Sequence, residues 1–158
     1  MSKPIYLDYN ATTPVAAEVL EAMLPYLAQH FGNPSSSHAY GGKAAEAVRA
    51  ARESVARLLG AAADEITFTG SATEANNLAL LGVARALAGE KRHLVVSAVE
   101  HPAVMEPALH LQSEGWDLSV IPVDAYGRVD PADVAAALRP DTALVSIMHA
   151  NNEVGTIQ

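Results

Sequence analysis

Ser71, Thr73 and Glu74 have the residue types and the spacing of a helix N-terminus that can bind an anion. Ser71 and Glu74 match a capping box, in which the Ser71 hydroxyl accepts from the Glu74 N–H and the Glu74 carboxylate accepts from the Ser71 N–H. This cap leaves the N–H groups of Ala72 and Thr73 available to a phosphate or carboxylate, together with the Thr73 hydroxyl and the helix dipole. An ordinary capped helix without a ligand has the same pattern, so this segment alone leaves both interpretations open.

Two further groups of polar residues follow apolar runs that are typical of strands. His101 comes after one run, and Asn151 and Asn152 come after another. In open parallel sheets, ligands bind outside the carboxyl ends of the strands, so we expect these side chains at one edge together with Thr73. An anion-binding helix N-terminus, an imidazole and amides at that edge indicate a pocket for a planar phosphorylated ligand. Taken singly, each group is equally compatible with a surface loop or a turn.

The sequence contains six histidines and no cysteine. Without cysteine, these residues include no disulfide, no thiolate metal ligand and no thiol nucleophile. The histidines show no short ligand spacing such as H-x-x-x-H, so the sequence does not predict a zinc or iron site.

The composition is that of one ordinary globular domain, with 158 residues, of which 50% are hydrophobic and 18% are charged. The formal net charge of −8 argues against binding to nucleic acid, because the ten Lys and Arg residues are spread along apparent helices. No apolar run approaches the length of a membrane span, and the N-terminus has no long apolar segment. We therefore expect a cytoplasmic protein that binds neither nucleic acid nor a membrane.

Hydrophobic periodicity predicts strands that alternate with helices. Strands are expected over residues 66–69, 93–99, 118–123 and 142–148, and helices over residues 43–59, 72–88 and 102–114. Two further helices are expected to begin after Thr13, with Pro14 at the first position and an end or kink at Pro25, and after Asp130. The helix over 72–88 is apolar nearly all round and is expected to be buried. This alternation predicts an α/β fold with a mostly parallel sheet and flanking helices.

Five motifs carry a family resemblance along the whole chain. They are YLDYNATTP (6–14), FGNPS (31–35), ATEANN (72–77), EH (100–101) and SIMHANNEVG (146–155). In order and spacing, these motifs resemble the N-terminal part of cysteine desulfurases of the NifS/IscS type, which are pyridoxal-phosphate enzymes of the class V aminotransferase family. The resemblance implies the large domain of the aspartate aminotransferase-like fold, incomplete over residues 16–158, preceded by an N-terminal arm over residues 1–15.

The resemblance also implies roles for individual residues around a pyridoxal 5′-phosphate cofactor. Ala72 and Thr73 would bind the cofactor phosphate, which agrees with the capping argument. His101 would stack on the pyridine ring and move protons during catalysis, and Asn152 would hydrogen-bond the phenolic oxygen and tune the cofactor's electronics. Asn33 would help to hold the substrate carboxylate.

This sequence departs from the family pattern in two respects. Family members usually have Ser-Gly ahead of Ala-Thr-Glu, whereas this chain has Gly70 and Ser71. The family's Schiff-base Lys, the Asp at the pyridine nitrogen, a Gln near the phenolic oxygen and the nucleophilic Cys would all lie beyond Gln158. We therefore expect this chain alone to be inactive. We also expect residues 93–148 to form a three-stranded sheet that leaves residues 66–69 unpaired.

For the full-length enzyme, the resemblance implies conversion of L-cysteine to L-alanine. Sulfur would pass as a persulfide to an acceptor protein, such as an iron–sulfur scaffold, or toward thio-cofactor synthesis. The family also implies a homodimer. Two alternatives remain open: a related class V enzyme such as a selenocysteine lyase, and a truncated chain without catalytic activity.

Overall fold

The computed structural model describes residues 4–87 and 89–158 of the chain. These residues divide into two compact units, one that reaches to Phe68 and one over Thr69–Gln158. The predicted N-terminal arm stays a prediction, and its first three residues lie outside the described part. The predicted last residue of the helix over 72–88 also lies outside it.

The first helix of the first unit begins later than the sequence predicts. Helix α1 is Ala17–Ala28, and its N-cap Ala16 makes no side-chain hydrogen bond. The predicted start at Thr13 and Pro14 is wrong, because the fixed φ of proline suits extended backbone as well as a first helical turn. Pro25 does not end α1, and its carbonyl accepts from both Gln29 and His30, each at 2.8 Å.

Helix α2 is Ala39–Leu59, four residues longer at its start than predicted. His38 caps it, with Nδ1 accepting from Gly41 N at 3.4 Å. Gly41 lies against the preceding loop so closely that an added Cβ would overlap the carbonyl oxygens of Ser36 and Asn33. The helix therefore begins where the loop packs against it, and it ends as predicted at Gly60, which has a left-handed φ of 67°.

The second unit contains a three-stranded parallel sheet, as predicted. The strands are β1 (His93–Ser97), β2 (Asp117–Ile121) and β3 (Thr142–Ser146), and their order in the sheet is β2-β1-β3. Its helices are α3 (Ala72–Leu87), α4 (Pro102–Ser113) and α5 (Pro131–Ala137). The predicted strand over residues 66–69 is wrong, because these described residues have no strand partner and form no strand. Their lack of pairing agrees with the expectation that they are left out of the three-stranded sheet.

Both faces of the central strand β1 are covered, which explains its continuous apolar sequence. One face packs on α3 and α4 through a cluster of eight buried residues: Leu80, Ala84, Leu94, Val96, Val104, Ala108, Leu111 and Trp116. The other face holds a smaller buried cluster of Val95, Ile121 and Val129. Helix α3 is less buried than predicted, with only Leu80 and Ala84 buried, since it packs on α4 and β3 and exposes its other sides.

His93 is a polar residue at the start of β1 that is fully buried. Its Nδ1 lies 2.8 Å from Thr142 Oγ1, and its Nε2 lies 2.9 Å from Ser119 Oγ. Thr142 Oγ1 also accepts from Arg139 N at 2.8 Å, so the hydroxyl is held from two sides. One imidazole therefore joins all three strands through its two ring nitrogens.

No helix in the described ranges, 4–87 and 89–158, is long and apolar enough to cross a membrane.

Candidate functional site

A groove between α3 and α4 brings together two of the predicted site residues. Its volume is about 460 Å³, and Thr73 and His101 both line it. Thr73 lies in the first turn of α3, and His101 is the N-cap of α4. Because α3 packs against α4, the positive ends of two helix dipoles meet at this groove. The arrangement suits an anionic group beside an imidazole.

The predicted cap of α3 is present with one change of partner. Ser71 Oγ accepts from Glu74 N at 3.1 Å, as predicted. The Glu74 carboxylate accepts from Gly70 N at 2.6 Å and not from Ser71 N, so this half of the predicted box is wrong by one residue. Gly70 permits this contact because it has no side chain, and an added Cβ would lie only 3.2 Å from Glu74 Oε2.

The N–H groups of Ala72 and Thr73 have no acceptor within their own helix, because they belong to its first turn. Neither of them makes a hydrogen bond to any other residue in the described part of the chain. Both residues are exposed. These two donors and the Thr73 hydroxyl are therefore available to an external acceptor.

His101 has a fixed ring orientation. Its Nδ1 accepts from Ala103 N at 3.0 Å, which caps α4 directly before Pro102. A ring nitrogen that accepts a hydrogen bond carries no proton, so the neutral ring has its proton on Nε2. The ring is exposed and lines the groove, so it can meet a ligand there.

Asn152 and Asn33 do not line this groove. Asn152 is exposed in the segment after β3, where its Nδ2 donates to Glu153 Oε1 at 2.9 Å. Asn33 lies in the first unit, and its Oδ1 accepts from Ser35 N at 2.8 Å. The predicted roles of both residues, like those of Ala72, Thr73 and His101, stay predictions.

The groove has further lining residues to which the sequence assigned no role. On α3 these are Asn77 and Leu81, and on α4 they include Glu106 and His110. Each lies four or eight residues from another lining residue on its helix, which is the spacing of one helical face. That spacing is the signal in the sequence that could have identified them.

No group of three or more His, Asp or Glu residues in the described part of the chain is arranged to hold a metal ion.

A family model described as Aminotransferase class-V matches residues 5–158. The chain belongs to the aminotransferase class-V family. This class-V chain is also 52% identical over 158 residues to a protein of Dictyoglomus turgidum named cysteine desulfurase IscS, covering all of this chain and 40% of that protein. The resemblance to cysteine desulfurases is therefore confirmed over the length of the chain.

Solved structures of this class have the same fold over this region. A NifS-like protein superposes with a TM-score of 0.95 at 43% identity, covering 98% of this chain and 42% of the other. A structure described as SspA in complex with cysteine gives a TM-score of 0.91 at 45% identity, covering 97% of this chain and 44% of the other. The class-V chain thus spans about two fifths of the length of these relatives, and the predicted α/β fold is confirmed.

Proposed function

We propose that this chain is the N-terminal part of a pyridoxal-phosphate-dependent cysteine desulfurase. The reaction converts L-cysteine and an enzyme thiol into L-alanine and an enzyme persulfide, so the sulfur atom moves from the substrate to the thiol. The observation that carries the proposal is the groove that Thr73 and His101 share. The names of the relatives and a related structure that contains cysteine support the same activity.

The first turn of α3 fits the phosphate of this cofactor. It offers the two backbone donors of Ala72 and Thr73, the Thr73 hydroxyl and the positive end of the helix dipole. None of the described residues that line the groove is Lys or Arg. Within this chain, binding of the phosphate would therefore depend on these neutral donors.

The ring of His101 fits the proton-transfer role. Pyridoxal phosphate, when bound, supplies an electron sink for negative charge that develops on the substrate. His101 Nδ1 is used in the α4 cap, which leaves Nε2 as the atom that holds or moves a proton. The cap also fixes the plane of the ring, so stacking on a planar ligand would need little reorganisation.

We assign Asn152 to the phenolic oxygen of the cofactor and Asn33 to the substrate carboxylate. The bond from Asn152 Nδ2 to Glu153 Oε1 orients the amide, and an amide group can donate to a phenolic oxygen. Asn33 lies in a loop that packs tightly on the first turn of α2, which gives the loop a defined conformation.

The proposal extends to the setting of the full-length enzyme. We propose a cytoplasmic homodimer that passes persulfide sulfur to an acceptor protein such as an iron–sulfur scaffold. The family resemblance is the support for these assignments.

Intact mass spectrometry of the protein from its native source tests the proposed function. Borohydride treatment would fix any cofactor bound to a Lys as an imine, and L-alanine formation would be measured with L-cysteine and with L-selenocysteine. We expect a reduced pyridoxyl adduct, a mass well above 16.5 kDa and alanine from L-cysteine. A protein of this mass without the adduct and without alanine formation would overturn the proposal. Alanine from selenocysteine alone would favour a selenocysteine lyase.

A further inference from the structure

Backbone pairing between β1 and β3 stops before the residues of the candidate site. The last register pair of the two strands is Val96 with Ser146. His101 and Asn152 both lie beyond this point, in segments that no strand pairing holds together. Side-chain hydrogen bonds join these two segments.

Glu100 provides the first connection between the two segments. Its Oε1 accepts from Met148 N at 2.7 Å, across the gap from the turn before α4 to the segment after β3. The same oxygen accepts from Ser97 Oγ at 2.7 Å. Ser97 is fully buried at the end of β1, so the carboxylate is tied to a rigid point of the sheet.

Asn151 provides a second connection in the opposite direction. Its Nδ2 donates to Val99 O at 3.1 Å, from the segment after β3 to the segment after β1. Its Oδ1 accepts from Glu153 N at 2.9 Å and from Val154 N at 3.0 Å, which shapes the turn around Asn152. Asn151 is 9% exposed, so these bonds are shielded from water.

We propose that Glu100 and Asn151 are positioning residues that fix His101 relative to Asn152 through this reciprocal pair of connections, the loop brace. Each brace residue directly precedes one of the two residues in sequence. The roles of His101 and Asn152 toward the cofactor rest on the proposed function. The brace itself rests on hydrogen bonds within this chain.

Three variants and one control separate the hydrogen bonds from other effects. Glu100→Ala removes the acceptor, whereas Glu100→Gln keeps a carbonyl oxygen that can accept from Ser97 and Met148. Asn151→Asp keeps the acceptor for Glu153 and Val154 but removes the donor to Val99. Glu90→Ala is the matched control, because Glu90 is exposed and precedes β1, whereas both segments follow the other ends of their strands.

Nuclear magnetic resonance of the ligand-free chain provides the first test. We expect Glu100→Ala and Asn151→Asp to shift the His101 ring and the Asn152 side-chain amide resonances. Glu100→Gln and the Glu90 control should leave them near their original positions. If either Glu100→Ala or Asn151→Asp folds and leaves both resonances unchanged, the positioning role is refuted. If Glu100→Ala does not fold, Asn151→Asp decides.

Calorimetric titration with pyridoxamine 5′-phosphate provides the second test, because this probe has no aldehyde that could react with surface Lys. We expect about fivefold weaker binding for Glu100→Ala and recovery for Glu100→Gln. In an Asn152→Ala background the Glu100→Ala effect should be smaller, whereas a role unrelated to the position of Asn152 would give additive effects. If the unaltered chain does not bind the probe, the cofactor assignment fails. The resonance test then still shows whether Glu100 and Asn151 position His101 relative to Asn152.

Discussion

Thr73 and His101 line one groove although each belongs to the start of a different helix. Thr73 contributes a hydroxyl and a backbone donor, and His101 contributes an imidazole whose Nδ1 is already used. A phosphate and an aromatic ring joined in one ligand would use both groups together. This relationship gives the first two predictions.

Thr73→Ala should weaken binding of pyridoxamine 5′-phosphate by about 1 kcal/mol, or about fivefold, because one hydroxyl donor is lost. Calorimetric titration of the purified chain measures the effect. Thr13→Ala is the control, since it removes the same hydroxyl from an exposed position in the first unit. Equal affinity for pyridoxamine with and without its phosphate would contradict the phosphate assignment.

His101→Ala should lower the free energy of unfolding by about 1 kcal/mol, because the cap of α4 is lost. His101→Asn should lower the free energy of unfolding much less, since Asn is a good N-cap residue. Both variants remove the imidazole and should weaken binding of pyridoxamine 5′-phosphate to the same extent. Urea denaturation followed by circular dichroism measures the stability difference. Equal destabilisation by the two variants would argue against the capping role.

Gly41→Ala and Gly42→Ala should change stability in opposite directions. At Gly41 the new Cβ would lie 2.7 Å from Asn33 O and closer still to Ser36 O, so we expect a loss of about 1–3 kcal/mol. At Gly42 nothing lies within 4 Å of the new Cβ, so we expect a gain of about 0.5–1 kcal/mol. Urea denaturation of both variants tests the pair. Stabilisation by Gly41→Ala would mean that the loop around Asn33 is not packed on α2.

The buried imidazole of His93 should make the stability of the sheet depend on pH. Burial is the main cause that lowers the pKa of His93 below 6.5, and Arg139 lowers it further, whereas Asp141 and Asp117 oppose the shift. The unfolded chain therefore binds a proton at a higher pH than the folded chain does. The stabilisation is complete above pH 6.5 and is lost as the pH falls from 6.5 through the lower folded pKa.

Proton resonance titration of the His93 ring, in the folded chain and in urea, checks this prediction. The folded ring should titrate at a lower pH than the unfolded ring. A folded pKa of 6.5 or above would show that the carboxylates of Asp141 and Asp117 outweigh burial and Arg139.

The strands could be predicted well, because their apolar runs reflect burial on both faces. All five residues of β1 are buried, and its predicted start at His93 is confirmed. The predicted ends were too late, since Ala98 and Val99 continue the apolar run after the last register pairs, which are Val96 with Ser146 and Ser97 with Ile121. An apolar sequence indicates that a segment is buried, but it does not indicate which backbone groups form hydrogen bonds.

Helix boundaries that depend on packing could not be predicted. The Gly41 and Gly42 pair disfavours a helix by local propensity, yet α2 includes both because the loop before it needs the space at Gly41. The periodicity of α3 predicted burial on all sides, but periodicity does not indicate which elements are present to cover a helix.

Part of the candidate site could be predicted because it depends on local geometry. The Ser71 cap follows from spacing within four residues, and it is present. The Glu74 partner differs by one residue, since the position of a flexible carboxylate depends on the space beside Gly70. The bonds of Glu100 and Asn151 join residues that are distant in sequence, and no local pattern indicates them.

The strand order β2-β1-β3 has a consequence for synthesis on the ribosome. His93 and Thr142, which pair at the start of β1 and β3, are 49 residues apart in the chain. At about 5–20 residues per second, translation needs about 2–10 s to add that length. During that time the nascent chain exposes one edge of β1, the strand that is most buried in the folded chain, and a chaperone that binds extended apolar segments would meet β1 in this interval.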